Sequence, residues 1–341
     1  MLNVGIVGMG FMAAMHVKAW KQVEGTRIAA ICNPSGKHLD GNLSHVFEKM
    51  GSSEKLQIDM KDVQIYSDFS SLLADPDIQI VDICSPTWAH ADQATAALAA
   101  GNHVLLEKPM ARTAREAQRV VETASHANTF LLPGMCLRFW PEWRLLKDAI
   151  ADHRYGRVLA ARFRRIGPPP VWGQNHFHDG IKSGGALLDL HIHDVDFIQW
   201  CFGRPSRVYS RGYSKFSNEI DHVVTQYDVD GGAIVHAEGG WAMAPGFSFS
   251  MAYTVNFERA TMDFDSSRGP DKVLVVCEQG KEPVTKAAAA EDGYLGEIRH
   301  LVECVRKNEP PSVITPVDGL TAIEICETEA HSIRLGQPVT F

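Results

Sequence analysis

Short apolar segments alternate with helical segments along the first third of the chain. Five apolar segments have the character of buried strands: Val4–Val7, Arg27–Cys32, Ile78–Cys84, His103–Leu106 and Thr129–Cys136. Helices are predicted at about 11–23, over the alanine-rich stretch 87–100, and after Thr113, which has a capping-box partner in Glu116. Strand–helix alternation of this kind predicts a parallel, doubly wound α/β sheet.

Residues 34–65 interrupt this alternation with a polar, weakly periodic segment. The segment is long for a connection inside a compact α/β unit, where a handful of residues is usual. A surface excursion and a lid over a cofactor would both explain it, and we favour the excursion.

After Pro133 the pattern changes from alternation to a succession of strands. A helix is predicted at Gly184–Phe202, and helices return at Tyr294–Lys307 and Val317–Leu335. The strands between them are predicted at Arg207–Tyr213, His222–Val229, Ala233–Trp241, Phe247–Phe257 and Lys272–Cys277. Successive strands joined by short glycine and aspartate turns predict an antiparallel sheet and an α+β domain. We therefore place one domain at residues 1–132 and a second at 133–341.

Length and composition agree with this organisation. A chain of 341 residues is long enough for about two domains, and its 45% hydrophobic and 22% charged residues are typical of a soluble globular protein. The net charge of −8, without a basic stripe, argues against nucleic acid as a partner. Seven widely spaced cysteines without a Cys-x-x-Cys pair indicate reduced thiols. Because the chain starts directly on a strand and has no membrane-length apolar run, we expect a cytoplasmic protein without a membrane partner.

A glycine loop follows the first strand and opens the first helix. Gly8 permits the tight turn, Gly10 lets the backbone approach a pyrophosphate, and Ala13 is small enough for helix–strand contact. The phosphates would then meet the N–H groups at the helix start, next to Phe11 and Met12. Between a predicted strand and a predicted helix, this motif indicates dinucleotide binding.

In a dinucleotide site of this kind, the residue at the end of the second predicted strand contacts the ribose of the cofactor. An acidic residue there would bind the 2′-hydroxyl and repel a 2′-phosphate, but this chain has Asn33. Ser35 and Lys37 follow and could receive a phosphate. The sequence leaves NAD and NADP both open, with a slight preference for NAD.

Lys108 follows an apolar strand and precedes a proline, in Glu107-Lys108-Pro109. Strand ends of a parallel sheet open into the crevice where ligands bind, so this ammonium is expected to point at a substrate.

Asp189 and His193 are the second candidate catalytic feature. Four residues apart on a helix, they share a face, and the carboxylate can orient the imidazole as a proton acceptor near neutral pH. A buried Asp–His hydrogen bond with a structural role would explain the spacing equally simply. His191 adds a metal interpretation, but residues two apart on a helix diverge, so we predict no metal site.

These motifs together resemble the Gfo/Idh/MocA family, the relatives of glucose-fructose oxidoreductase and inositol dehydrogenase. The resemblance rests on the glycine loop, on Ser85-Pro86-Thr87-Trp88-Ala89-His90, on Glu107-Lys108-Pro109, on Gly184-Gly185 and on Asp189-x-x-x-His193. It implies a Rossmann domain followed by a domain with a large, mostly antiparallel open sheet that is often used for oligomer contacts. It also implies a nicotinamide cofactor over the strand ends and a substrate between the domains.

The resemblance also implies roles for individual residues. Lys108, Asp189 and His193 would be catalytic, and the cofactor would be lined by Ser85, Pro86, His90 and Glu107. Two residues depart from the family pattern. His191 stands where glycine is usual, so an extra side chain is expected in or beside the pocket. Asn33 stands where an acidic residue would be associated with NAD use. Further substrate ligands are expected among Arg138, Trp172 and His176.

The leading functional hypothesis is an NAD(P)-dependent dehydrogenase or reductase that acts on a secondary hydroxyl of a sugar, cyclitol or sugar acid. One alternative is a glycoside-cleaving enzyme that uses tightly held NAD in a transient oxidation. A second alternative is a cofactor-binding regulator without catalysis, against which the intact Lys108, Asp189 and His193 argue. A homodimer or homotetramer is expected because an exposed antiparallel sheet favours association.

Overall fold

The computed structural model describes residues 1–49, 52–170 and 177–341. The strands are β1 Leu2–Val7, β2 Thr26–Cys32, β3 Gln64–Tyr66, β4 Ile80–Ile83, β5 His103–Glu107, β6 Leu131–Gly134, β7 Val158–Ile166, β8 Arg207–Tyr213, β9 His222–Asp228, β10 Ile234–Gly240, β11 Ser250–Phe257, β12 Ala260–Asp265, β13 Leu274–Glu278, β14 Val284–Lys286 and β15 Val339–Thr340. The helices are α1 Phe11–Trp20, α2 Ser44–Lys49, α3 Phe69–Leu73, α4 His90–Ala99, α5 Ala114–His126, α6 Pro141–Ala151, α7 Gly180–Ser183, α8 Ile192–Phe202, α9 Gly293–Lys307 and α10 Pro316–Leu335.

The described residues form two compact units. Unit 1 contains Met1–Cys136 and Gly293–Leu320, and unit 2 contains Leu137–Pro170, 177–292 and Thr321–Phe341. Helix α9 and the start of α10 therefore belong to unit 1, although they lie late in the chain. A division of the sequence at a single point cannot assign this late segment to unit 1. The predicted boundary between residues 132 and 133 stays a prediction.

Unit 1 is built on a six-stranded sheet with the order β3-β2-β1-β4-β5-β6. All neighbouring strands are parallel, which confirms the predicted doubly wound sheet. The strand order changes direction between β1 and β4, and ligands of such sheets bind at this switch point, outside the carboxyl ends of the strands. Thr113 caps α5 through the predicted capping box with Glu116.

The interrupting segment packs against α1. Leu43, Val46 and Phe47 are buried in it, and the ammonium of Lys18 on α1 lies 5.4 Å from the centre of the Phe47 ring. Lys21, just after α1, donates a hydrogen bond to the Gln57 carbonyl at 2.7 Å. These contacts support the predicted surface excursion, in which a few apolar residues pack beneath a polar exterior.

Unit 2 is built on a nine-stranded sheet with the order β14-β13-β12-β11-β7-β10-β9-β8-β15. Its neighbours pair antiparallel except for β7 and β10, which confirms the predicted large, mostly antiparallel sheet. Strand β7 was not predicted because Arg162, Arg164 and Arg165 interrupt its apolar pattern. Arg165 is nevertheless buried, since Asp194 accepts hydrogen bonds from its guanidinium.

The helix predicted at Gly184–Phe202 is wrong as a single element. Helix α7 ends at Ser183, and the following Gly184, with a left-handed φ of 85°, caps it. A π-helical turn over Leu187–His191 follows, and α8 begins only at Ile192. Trp143, fully buried on α6, packs edge-on against Phe197 of α8 with ring centres 4.8 Å apart, and this contact holds α8 in the core of unit 2.

Among the described helices, none combines the length and the apolar character that a bilayer span requires.

Candidate active site

The glycine loop has the backbone geometry that a dinucleotide site needs. Gly8 has a φ of 88°, and a Cβ there would lie 2.7 Å from the carbonyl oxygen of Cys84. A Cβ on Gly10 would have no atom within 4 Å, so the space over this residue is open. Gly10 precedes the first residue of α1, where Phe11 and Met12 supply the first backbone N–H groups. The loop therefore fits a bound pyrophosphate, with open space over a helix N-terminus.

The loop after β4 is tied to the segment after β5 by a buried histidine. The ring nitrogens of His90 each lie 2.7 Å from a backbone carbonyl oxygen, one of Ser85 and one of Pro109. Burial lowers the pKa of His90 below its ordinary value, and the two carbonyl oxygens partly offset this effect. His90 is 1% exposed, so it supports the predicted cofactor residues Ser85 and Pro86, of which Pro86 is exposed, and does not face solvent itself.

Lys108 is half-buried immediately after β5, at the same edge of the sheet as the glycine loop. The backbone N–H of Lys108 donates to Glu107 Oε2 at 3.0 Å, and the Lys108–Pro109 peptide bond is cis. The Glu107 side chain points inward and is 3% exposed. The structure therefore favours a supporting role for Glu107 beneath Lys108 over the cofactor contact that the resemblance implied.

A buried histidine lies between two carboxylates below this edge. His16 Nδ1 lies 2.9 and 3.0 Å from the two carboxylate oxygens of Asp82, and His16 Nε2 lies 3.0 Å from Glu107 Oε1. Burial opposes charge on His16, but the interactions with Asp82 and Cys84 together outweigh it, so the pKa of His16 is raised well above its ordinary value. A charged imidazolium can donate to both carboxylates at once. We call this group the His16 cluster.

The His16 cluster also has the proximity of a metal site. The ligand atoms of His16, Asp82 and Cys84 lie within 4.8 Å of one another, as do those of His16, Glu107 and Glu297. However, the nitrogen–oxygen distances in the cluster are those of hydrogen bonds. Burial also raises the pKa of the Cys84 thiol, and a thiol binds metal as its thiolate. We therefore interpret the cluster as an ion-paired histidine.

Asn33 follows β2 and organises its own loop. Its side-chain amide donates to the Lys37 carbonyl at 2.6 Å, and its Oδ1 accepts from the Ser35 hydroxyl at 3.0 Å. Ser35 and Lys37 are exposed. The predicted ribose reader is therefore a polar turn with one cation and no carboxylate at residues 33–37.

Asp189 and His193 lie in unit 2, the former in the π-helical turn and the latter in the first turn of α8. Both side chains are half-buried, whereas His191 and Asp194 are fully buried. The predicted pair is thus accessible, while its neighbours face the core. The His191 side chain is 0% exposed and lies in the core of unit 2, and its place beside the pocket stays a prediction.

Arg138, predicted as a substrate ligand, takes part in a buried ion pair instead. Its guanidinium donates to both carboxylate oxygens of Asp196, at 2.9 and 2.7 Å, and it is 2% exposed. This bidentate pair supports a structural role for Arg138. The other two predicted substrate ligands, Trp172 and His176, lie outside the described residues.

Sequence reasoning missed the His16 cluster, although two signals were present. Asp82 stands inside the apolar run Ile80-Val81-Asp82-Ile83, and a carboxylate in a buried strand needs a partner. His16 lies on the helix that follows the glycine loop. The contribution of Glu297 from α9 had no local signal, because it depends on the return of that helix to unit 1.

Comparison with protein families matches both parts of the chain. Residues 2–135 match the family described as "Oxidoreductase family, NAD-binding Rossmann fold", and residues 143–263 match the "GFO/IDH/MocA C-terminal domain". The chain belongs to the Gfo/Idh/MocA oxidoreductase family. The predicted family membership and the Rossmann fold of the first part are confirmed.

Individual relatives of this Gfo/Idh/MocA protein are distant but match over almost its whole length. The chain is 25% identical to myo-inositol 2-dehydrogenase of Thermotoga maritima, over 94% of this chain and 93% of the relative. It is 24% identical to scyllo-inositol 2-dehydrogenase (NAD(+)) of Bacillus subtilis, over 99% of this chain and 96% of the relative. A solved levoglucosan dehydrogenase in complex with NADH and L-sorbose has the same fold, with a TM-score of 0.83, 21% identity and coverage of 99% and 98% of the two chains.

The names of these relatives support the dehydrogenase hypothesis over both alternatives. The two curated relatives are named as inositol 2-dehydrogenases. The glycoside-cleaving and regulatory hypotheses are not favoured by any of them.

Proposed function

We propose that this protein is an NAD(P)-dependent dehydrogenase that oxidises a secondary hydroxyl of a sugar, cyclitol or sugar acid, reversibly. One observation carries the proposal: Lys108 is half-buried at the carboxyl end of β5, at the sheet edge where the glycine loop follows β1. A cation at the ligand-binding edge of the sheet supports a role for Lys108 at the hydroxyl of a bound substrate. The names of the inositol and levoglucosan dehydrogenases agree with the substrate class.

Three side chains have distinct roles in this proposal. His193 accepts the hydroxyl proton, and Asp189 orients the imidazole and stabilises its positive charge. Lys108 donates a hydrogen bond to the oxygen as negative charge develops on it, which is the preorganised stabilisation that most lowers such barriers. The nicotinamide, when bound, supplies the redox chemistry by taking up the hydride.

The residues around the glycine loop fit a dinucleotide. Gly8, Gly10, Phe11 and Met12 would hold the pyrophosphate, Asn33, Ser35 and Lys37 would meet the adenosine ribose, and Ser85 and Pro86 would line the strand-end side. His90 and Glu107 would hold these segments in place from below.

The proposal is tested by measuring reduction of NAD⁺ and NADP⁺ with a panel of cyclitols, pyranoses and sugar acids. We expect turnover with at least one member of the panel and a turnover about 10²–10³-fold lower in Lys108→Ala. Cofactor that co-purifies, with no accumulation of reduced nicotinamide on any substrate, would contradict the proposal and favour the glycoside-cleaving alternative.

Asn33→Asp is expected to shift cofactor preference toward NAD by about tenfold or more, which corresponds to ~1.4 kcal/mol. A carboxylate at the end of β2 would bind the ribose 2′-hydroxyl and repel a 2′-phosphate. The measurement is the ratio of kcat/KM for NAD⁺ and NADP⁺. Asn42→Asp is the matched control, since it adds the same charge to an exposed residue of the neighbouring segment. An equal shift in both variants would contradict the placement of the ribose at Asn33.

We further propose that the protein assembles as a homodimer or homotetramer through the open sheet of unit 2. Tyr209, Val224 and Ile234 lie on one face of neighbouring strands β8, β9 and β10 and are 38%, 42% and 62% exposed. Exposed apolar side chains on an open sheet face are available for association with a second copy of the chain. Light scattering at micromolar concentration measures the assembly, and a monomeric mass would contradict it.

A cytoplasmic location is also proposed. None of the seven cysteines, all of which lie in the described residues, forms a disulfide, and five of them are buried, which supports a reducing compartment. Mass spectrometry of protein from its native cells would measure the thiol state, and disulfide-linked peptides would contradict this location.

A further inference from the structure

His191 is anchored in the core of unit 2 by a buried polar group. Its Nε2 lies 3.0 Å from the hydroxyl of Tyr227 on β9 and 3.3 Å from Glu329 Oε1 on α10. The Tyr227 hydroxyl donates to the same Glu329 oxygen at 2.5 Å. His191 and Glu329 are 0% exposed and Tyr227 is 2% exposed. Two secondary-structure elements therefore hold one side chain of the π-helical turn.

The sheet beneath His191 is shaped to receive it. A Cβ on Gly239 of β10 would lie 2.4 Å from His191 Nδ1 and 2.7 Å from its Cβ, so only glycine leaves space for the imidazole. His191 stands where the family pattern has glycine, and in this chain a glycine on the facing strand supplies the missing volume. The imidazole is thus held by close packing against Gly239 and by the hydrogen bonds of its Nε2, whereas its buried Nδ1 has no hydrogen-bond partner among the described residues.

The anchored residue lies two positions from each of the proposed catalytic residues of unit 2. Asp194, at the other end of the same segment, is held to β7 by two hydrogen bonds from Arg165. With His191 and Asp194 both turned into the core, Asp189 and His193 are left half-buried on the other side of the backbone. π-helical turns occur frequently at functional sites, where the extra residue changes the direction of the side chains around it.

We propose that His191, held by Tyr227 and Glu329, is a positioning residue that fixes the π-helical turn and thereby the directions of Asp189 and His193. The proposal rests on the proposed function, since the two residues it positions are those assigned to proton transfer. Burial opposes charge on His191, but the Glu329 carboxylate outweighs it and raises the pKa of the imidazole above its ordinary value. A donor at Nε2 is therefore available for the hydrogen bonds that the geometry shows.

The test compares His191→Ala and His191→Gln in the full-length protein. Loss of the anchor in His191→Ala is expected to lower kcat by about 10- to 100-fold, because a small misplacement of catalytic groups costs up to about 10²-fold. The KM for the hydroxyl substrate is expected to change by less than about twofold, since His191 does not face it. His191→Gln retains a side-chain N–H donor and is expected to recover kcat to within about fivefold of the wild type.

Ser210→Ala is the matched control for destabilisation alone. It removes a fully buried hydroxyl–hydroxyl hydrogen bond of 2.7 Å to Thr225 in the same sheet, without touching the π-helical turn. Wild-type kcat in Ser210→Ala, together with a low kcat in His191→Ala and recovery in His191→Gln, would support the proposal. Equal losses in all three variants, or unchanged kcat in His191→Ala, would overturn it. If His191→Ala does not fold, Tyr227→Phe takes its place in the comparison, because it removes the hydroxyl that lies between His191 and Glu329.

Hydrogen exchange separates this proposal from the proposed function. Exchange of amides in residues 186–195, measured by mass spectrometry, is expected to accelerate in His191→Ala and not in Ser210→Ala. If the wild type reduces neither cofactor with any substrate, the proposed function fails, and exchange alone then decides whether His191 fixes the turn. Unchanged exchange in this segment would overturn the positioning role.

Discussion

Lys108→Ala is expected to lower kcat by about 10²–10³-fold, the loss typical of removing one preorganised donor to a developing oxyanion. The dissociation constant for the cofactor should change by less than about threefold, because the glycine loop and the helix start hold the pyrophosphate without Lys108. Lys108 is positioned from below by Glu107, whose carboxylate accepts its backbone N–H, and this contact is independent of the side chain. The variant should therefore fold and bind cofactor normally.

Stopped-flow kinetics and NADH fluorescence titration measure the two quantities separately. Lys37→Ala is the matched control, because it removes one ammonium from the exposed turn after β2. It is expected to weaken NADP(H) binding and to leave kcat nearly unchanged. Near-wild-type turnover in Lys108→Ala, or equal kcat losses in both variants, would contradict the proposed role of Lys108.

His16→Ala is expected to lower the free energy of unfolding by about 3–5 kcal/mol, the usual cost of removing one partner from a buried ion pair. Asp82 and Glu107 would each lose the hydrogen bond to the charged imidazole within the core, where His16 and Asp82 are 0% exposed. Urea denaturation of wild type and variant measures the difference. Glu107 also supports Lys108, so loss of activity beyond the loss of folded protein is expected as well.

The difference between wild type and His16→Ala should depend on pH in a defined direction. The pKa of folded His16 is raised well above its ordinary value, because the interactions with Asp82 and Cys84 together outweigh burial. The stabilisation that protonation adds is therefore fully present below the unfolded pKa of about 6.5 and is lost as pH rises through the folded pKa. The measured difference should shrink at alkaline pH.

Trp20→Phe is the control for the His16 experiment. The Trp20 indole donates to the same Asp82 carboxylate at 2.7 Å, so this variant removes a neutral donor and leaves the imidazolium in place. We expect a loss of about 1–2 kcal/mol without the same pH dependence. A pH-independent difference for His16→Ala would contradict the charged imidazolium and would reopen the metal interpretation of the His16 cluster.

The sequence alone determined the parallel strand–helix core of unit 1 and the class of its ligand, but not the return of α9 to that unit. Regular alternation of strands and helices specifies a parallel sheet, and a glycine loop between the first strand and helix specifies a dinucleotide site, because both signals are local. The capping box at Thr113 and the antiparallel character of the second sheet were also predicted, because their sequence signals are local too. Strand β7 was not, since the alternation that defines it is hidden by arginines whose partners lie elsewhere in the chain.

Only the tertiary structure decided what the ionisable residues do. Arg138 and His191 are residue types that are common in functional sites. In the structure, however, Asp196 pairs with Arg138, and Tyr227, Glu329 and Gly239 surround His191. The His16 cluster joins α1, β4, β5 and α9, which are separated by up to most of the chain. The physical reason is that the charge and direction of a buried polar group are set by partners brought near by folding, whereas strand and helix periodicity is set by neighbours along the chain.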